Sequence, residues 1–357
     1  MSYWNENIST DSYPDKMIYF TRFVTLFFLV LSTHTLLAQS CFPADQLPSH
    51  ITQLTDFGQR AEWSLDGKYL YFVDRAGGEV WRVNIDSKQT QQITQPEDRP
   101  DGHGYYRVVA LANGDLLLGG GAERHHLYFR ILDGSLTHPP RTIAGEALDE
   151  GPAVSRKTMK IAWTLPGQRQ IYAGEIAYDR GKPQIVNKRL IVDSVVVTTT
   201  GERFADILES QNWRPPQEEE LIFSQYQRGD AFRSETMGIN LTTGDIINYS
   251  QSPATYEEPE GIFPDGESTL MESDKHHPTS GTNTIEVYRL ALDSTGQHYQ
   301  RLTFFSKVPG FRASNPVVSD DGRYIAFQGS HAESNAGAGC GLYLFDLHQW
   351  EESRSAK

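Results

Sequence analysis

Histidines pose the first chemical question. His125-His126 and His276-His277 sit in polar stretches far apart in the chain, and His331 sits in a third. Three imidazoles converging from separate segments would suit a divalent ion. Adjacent histidines in an extended segment point to opposite sides, so at most one of each pair could serve. His126, His276 and His331 are therefore the candidate ligands, and the competing reading leaves all of them as solvated loop residues. Charged and polar residues recur in the same kinds of stretch: Arg60, Glu62, Arg75, Glu150, Arg203, Glu258, Asp274, Arg312 and Asn315. Gathered on one face they would hold a polar ligand. No G-x-S-x-G nucleophile motif occurs. Gly119-Gly120-Gly121 lacks the strand-to-helix context and Lys-Ser/Thr of a phosphate loop, so close packing or a bulge is the reading for it.

These residues are separated by a recurring phrase that must position them. Ala61–Asp86 reads A-E-W-S-L-D-G-K-Y-L-Y-F-V-D and then E-V-W-R-V-N-I-D; Asn315–Leu347 and, more loosely, Glu258–Leu290 repeat it. Each copy is an apolar strand, a tight turn ending in Gly67, Gly266 or Gly322, a returning strand, and a third strand. The openings at Glu62, Pro152, Pro259 and Pro316 imply a period of about 45 to 55 residues, with weaker copies in the gaps, which suits four strands per unit. The weakest copy spans roughly residues 203 to 250, with Gln211–Glu219 read as a polar loop. A small antiparallel unit cannot bury both faces alone, so the units must stack. Trp63, Trp81 and Trp163 are expected between them. The closing phrases Gln92-Ile93-Thr94 and Arg301-Leu302-Thr303 have a spare copy, Ile51–Thr55, ahead of the first unit. The last unit has three strands and ends at Leu347. The expectation is an all-β, six-bladed β-propeller closed by an N-terminal strand that completes the last blade.

The phrase S-x-D-G-(K/R)-Y-(L/I)-x-F resembles the WD40-like PD40 repeat of TolB-type six-bladed propellers. It stands as Ser64–Phe72 and Ser319–Phe327, with Phe263–Glu267 a third copy. The resemblance covers about residues 50 to 347 and implies an exported binding or interaction module. No separate N-terminal domain of the TolB kind is expected between Ser40 and the first repeat. In such propellers the loops entering the innermost strands and the loops joining second to third strands share one face at the mouth of the central channel. That places Arg60, Glu62, Arg75, Glu150, Arg203, Glu258, Asp274, His276, Arg312, Asn315 and His331 around it. Oligogalacturonate lyases, propellers with related repeats and a histidine-bound metal, supply the alternative: a metal-dependent carbohydrate-active enzyme.

The 357 residues carry 38% hydrophobic residues, enough for a sizeable core, and a formal net charge of −14, which argues against nucleic acid. Phe23–Leu31 is strongly apolar, preceded by Lys16 and Arg22 and followed by Ala38-Gln39-Ser40. It is too short to span a membrane and reads as a signal peptide over residues 1–40, with Met17 the expected true start. Residues 41–350 would form the propeller and 351–357 a polar tail. Cys41 either becomes lipidated, anchoring a lipoprotein, or remains near the start of a periplasmic or secreted monomer. A bridge from Cys41 to Cys340 and a buried Cys340 thiol are both open. The expected partner is an envelope protein or a small polar or saccharide ligand. No cofactor is expected unless the histidines hold a metal.

Overall fold

A computed structural model of the chain describes residues 42–197, 203–205, 207–227, 233–278, 281–334 and 339–355. The expected signal peptide and Cys41, with its lipidation or its bridge to Cys340, lie outside the described residues.

A short strand, β1 (Ile51–Gln53), leads into β2 (Gln59–Trp63), β3 (Tyr69–Val73), β4 (Val80–Asn84) and β5 (Thr90–Gln92), which form a four-stranded antiparallel sheet in chain order. A seven-stranded sheet follows: β6 (Tyr105–Ala110), β7 (Leu116–Glu123), β8 (His126–Leu132), β9 (Arg141–Val154), β10 (Lys160–Thr164), β11 (Gln170–Asp179) and β12 (Lys182–Asp193). The pair β13 (Val195–Val197) and β14 (Arg203–Ala205) precedes a four-stranded sheet of β15 (Ile207–Trp213), β16 (Glu220–Tyr226), β17 (Ser234–Asn240) and β18 (Ile246–Asn248). The next is β19 (Glu257–Ile262), β20 (Ser268–Ser273), β21 (Glu286–Ala291) and β22 (Tyr299–Arg301). The last contains β23 (Phe311–Val318), β24 (Tyr324–His331) and β25 (Leu342–Asp346), with β1 as its fourth strand.

The S-x-D-G turns are built as their chemistry requires. Ser64 Oγ donates to Asp66 Oδ1 at 2.7 Å and accepts from Tyr69 N at 3.0 Å, while Lys68 N donates to the same carboxylate. Ser319, Asp321, Arg323 and Tyr324 repeat the pattern. Gly67 and Gly322 take φ of 68° and 72°, a region costly for any residue with a Cβ. The aspartates are structural, fixing the first hairpin of their sheets.

The core is divided into clusters lying between successive sheets. Trp63, Leu70 and Phe72 meet Ala326 and Leu342; Leu117, Phe129 and Ile143 meet Ile161 and Trp163 inside the seven-stranded sheet; Phe263, Leu270 and Val287 meet Ala313, Ile325 and Phe327. Trp63 and Trp163 are buried and Trp81 packs part-buried against the first of these clusters, as expected. Cys340 is buried. In the triple glycine, a Cβ on Gly120 would stand 2.4 Å from the guanidinium of Arg130, and one on Gly121 2.6 Å from the His126 carbonyl. Close packing explains that run.

Two segments differ from the sequence expectation. Gln211–Trp213 belongs to β15 and is not loop; its polar residues face inward rather than to solvent, which hides the strand pattern. The chain after β25 turns into a helix, α1 (Leu347–Ser355), which buries Leu347 and Trp350. Residues 351–355, expected as the start of a tail, are exposed but helical.

β1 is antiparallel to β25, with Ile51 opposite Phe345 and Gln53 opposite Tyr343. The closing phrase explains why. Thr94, Thr303 and Ser250 each accept from the backbone N–H of a residue in the adjoining strand, Val80, Val287 and Thr236, at 2.8–3.0 Å. Each hydroxyl then donates to a buried carboxylate, Glu79, Glu286 or Glu235. Thr55 accepts from Leu342 N at 2.9 Å in the same way, across 287 residues of sequence, and donates to Phe57 O. The Gln-Leu-Thr of the N-terminal segment thus seats it in the last sheet.

Thr55→Val leaves the buried Leu342 N–H without that acceptor, and urea unfolding is expected to show a loss of about 1–3 kcal/mol. An unchanged midpoint would mean that β1 is not seated on β25. Gly67→Ala, with nothing within 4 Å of the added methyl, is expected to lose about 1–2 kcal/mol through φ alone, measured the same way.

Candidate functional site

The innermost strand of each unit breaks register once against its partner. The extra residues lie on the innermost strand each time: Arg60-Ala61 in β2, Tyr106 in β6, Glu150 to Pro152 in β9, Gln211 in β15, Glu260 in β19, Asn315-Pro316 in β23. A bulge re-aims side chains out of the ladder. Arg60, Glu150 and Asn315 adopt φ of 56°, 50° and 47°, uncommon for residues other than glycine. Arg60, Glu150, Glu260 and Asn315 line a cavity of about 200 Å³, and Gln211 lines a second of about 360 Å³. The two cavities share Arg60, Arg107, Glu150, Glu209 and Glu260.

Charge in the smaller cavity is divided. On one side Glu150, almost wholly buried, holds three arginines: Arg60 Nη1 at 2.9 Å, Arg124 Nε at 2.6 Å and Arg107 Nη2 at 3.7 Å. Burial alone would push the Glu150 carboxyl up, but Arg60, Arg124 and Arg107 outweigh it and hold it far below the usual carboxylate range. On the other side stand four glutamates. Glu209 accepts from Gln168 Nε2 at 2.7 Å and Tyr226 OH at 3.2 Å; Glu258 accepts from Gln211 Nε2 at 3.3 Å and from the Tyr256 hydroxyl. Asn315 donates its Nδ2 to Glu260 and its backbone N–H to Glu272, both at 2.6 Å. Burial, then Glu258, pushes Glu209 and Glu272 well above the ordinary carboxyl range. Burial and Glu258 raise Glu260 to about 7, against the pull of Arg107 and Arg60. Arg312 donates to Ser330 Oγ and Thr282 O, both at 2.9 Å, at the rim.

Arg156 ties the larger cavity. It donates to Glu62 Oε1 at 2.9 Å and grips Asp320 with two nitrogens at 3.0 and 2.8 Å, joining β2 to the turn after β23. Burial raises Glu62 to about 7 although Arg156 pulls it down.

Of the residues expected from sequence, Arg60, Glu150, Glu258, Arg312 and Asn315 come together in the smaller cavity. They stand on strands, not in loops. Glu62 lines the larger cavity instead. Arg75 is exposed and paired with Asp74 at 2.9 Å. Asp274 is buried and accepts from Tyr256 N. The side chain of Arg203 lies outside the described residues. Sequence reading missed Gln59, Arg107, Glu209, Glu272 and the two tyrosines. The legible signal was the polar run Glu209-Ser210-Gln211-Asn212 between Leu208 and Trp213, a strand whose channel side is polar.

The three candidate histidines do not form a metal-binding group among the described residues. His126 is exposed, 3.1 Å from Tyr128 OH. His276 lies between Tyr288 OH and Ser306 Oγ, and burial, then Arg301, pushes it down to about 4. His331 packs edge-on against Phe311. The described residues that do group suitably are His125, Asp149 and Glu150. His125 Nδ1 is 2.7 Å from Asp149 Oδ1, but both Glu150 oxygens already face arginines. That donor set does not fit a cation.

No family model and no curated protein sequence matches the chain. Solved structures do. A gluconolactonase from Xanthomonas campestris shares 15% identity and a TM-score of 0.52, over 83% of this chain and 89% of that one. The WD40 repeats of RRP9 share 8% and 0.50, over 86% and 99%. TolB from Acinetobacter baumannii shares 17% and 0.42, over 84% and 65%. The first two likenesses show the fold: an all-β β-propeller.

Buried carboxyls with raised pKa make stability fall as pH rises. Between the unfolded value near 4.5 and about 7, the folded state keeps protons on Glu62 and Glu260 that the unfolded chain has released. That stabilisation is complete at the acidic end of the window and gone above it. Urea midpoints are expected to decline across the window, and Glu260→Gln to flatten the decline. A midpoint that rises with pH in both proteins would refute this.

Proposed function

We propose that this chain is an exported, six-bladed, closed β-propeller of the TolB-like, PD40-repeat kind that works as a binding scaffold at its channel mouth. The seven-stranded sheet counts as two blades, because β9 serves as the outermost strand of one and the innermost of the next. Pairing of β1 with β25 supports closure. The apolar stretch Phe23–Leu31 supports export to the periplasm or beyond, with a Cys41 lipid anchor as the alternative; the scaffold is read as a monomer. No helix among the described residues is long and apolar enough to cross a membrane.

One observation carries the binding reading. Five glutamates and four arginines line a single small cavity on the propeller axis. Burying ions costs more than burying apolar side chains of similar volume. A ring needing only stability gains nothing from them there, whereas a ring holding a polar ligand needs them. The ligand is a small polar or saccharide molecule, or the part of an envelope protein that enters the mouth. The metal-dependent enzyme reading gains no support from the scattered histidines.

The test is retention of ligand from an envelope extract by the purified mature chain, read by native mass spectrometry. Arg124→Ala and Arg312→Ala, at the rim, are expected to reduce retention by about tenfold or more, while Ile246→Ala on an outer strand leaves it unchanged. Undiminished retention by both rim variants would overturn the assignment of the mouth.

A further inference from the structure

The smaller cavity also indicates its ligand, an inference that rests on the scaffold reading above. Its lining is complementary to two opposite charges at once. Glu209, Glu258, Glu260 and Glu272 crowd one side with Arg312 at their rim, where burial and mutual repulsion favour protons on Glu209 and Glu272; Arg60, Arg107 and Arg124 share the single Glu150 on the other, an excess of positive charge.

Two donors in this cavity have no acceptor. Gln59 lines it, is 1% exposed, and its Nε2 has no hydrogen-bond partner. Arg107 Nε is buried and likewise unpartnered. An unmet buried donor is costly, of order 1–3 kcal/mol. A bound acceptor would relieve both. The acidic wall asks for the reverse: its carboxyls already accept from Tyr226, Tyr256, Gln168, Gln211 and Asn315, and they are crowded enough to favour protons that an entering cation would displace.

Simpler ligands fail one wall or the other. A metal ion requires ligand atoms close together, and among the described residues no three of the four glutamates approach closely enough. A simple anion would bring no cation to the crowded acidic wall, and a neutral sugar would leave three arginines sharing only Glu150. The volume, about 200 Å³, lies below the range of drug-sized sites, roughly 300–1,000 Å³. We infer that the cavity binds a small zwitterion carrying a carboxylate and a protonated amine, its carboxylate meeting Gln59 and Arg107 and its ammonium meeting Glu258 and its neighbours.

Calorimetric titration of the purified mature protein tests this with glycine, β-alanine, 4-aminobutanoate and 5-aminopentanoate as probes, and with butanoate and butylamine as singly charged controls. At least one amino acid of the series is expected to bind about tenfold or more tightly than either control. Glu258→Gln is expected to abolish its advantage over butanoate, and Arg107→Met its advantage over butylamine. If a charged-site variant fails to fold, Gln59→Leu, which exchanges one neutral side chain for another, is expected to weaken the amino acid but not butylamine. Absence of binding by the whole series, or binding no tighter than that of butylamine, overturns the inference. Either result leaves the scaffold reading standing as long as the Arg124 and Arg312 variants still lose retention from extract.

Discussion

The bulge in every innermost strand is the constraint on which the rest of this molecule depends. A regular strand facing the axis would send alternate side chains to the centre, and the neighbouring sheets would crowd them. One or more extra residues on the inner strand break the alternation and turn a chosen side chain inward. The φ values of Arg60, Glu150 and Asn315 are the local cost of that turn. Backbone strain of this kind persists only where the surroundings over-determine it. Here the surroundings are antiparallel sheets, two with hairpins fixed by S-x-D-G turns and four with outer strands fixed by a threonine or serine hydroxyl. Rigid sheets permit a strained, charged interior.

That interior also stitches distant parts of the chain. Arg60 and Glu150 are 90 residues apart, and Arg156 reaches Glu62 and Asp320 over 94 and 164. Such pairs form only after the sheets have assembled, so they report assembly and do not drive it. The driving force is apolar burial between successive sheets. Breaking one partner afterwards is severe, because an ion is then left buried alone. Glu150 is the clearest case, since removing its carboxylate would leave three guanidinium groups facing one another.

Much of the architecture could be read from the chain because turn chemistry is local. Gly67 and Gly322, with Ser64, Asp66, Ser319 and Asp321 around them, specify a hairpin within nine residues whatever surrounds it. The spare Gln-Leu-Thr at residue 53 pointed to β25 for the same reason: a hydroxyl at that position does one thing in each sheet. The site was legible only in part. Arg60, Glu150, Glu258, Arg312 and Asn315 stood out as charged or polar residues beside strand openings. Arg107, Glu209 and Glu272 did not, because whether a strand residue faces the axis depends on a register shift that no local pattern records. The histidines misled because their type suggested a metal while their position depended on three separate loops. The β15 strand was hidden by the very polarity that suits it to the channel.

The division of charge follows the order of the repeats. The first two innermost strands contribute Arg60 and Arg107, the third Glu150, the fourth Glu209, the fifth Glu258 and Glu260, the sixth Asn315. The S-x-D-G turn residues recur in the first and last units and, in part, at Asp265-Gly266, while the bulge residue differs in each. Repetition thus supplies the frame, and divergence at the bulges and beside them supplies the polarity, Arg60, Glu150, Glu260 and Asn315 at the bulges and Arg107, Glu209 and Glu258 next to them. Asn315 stands where the basic and acidic regions meet, and its backbone and side-chain donors both serve the acidic side. An arginine or glutamate there would extend one region at the expense of the other; an amide lets them adjoin.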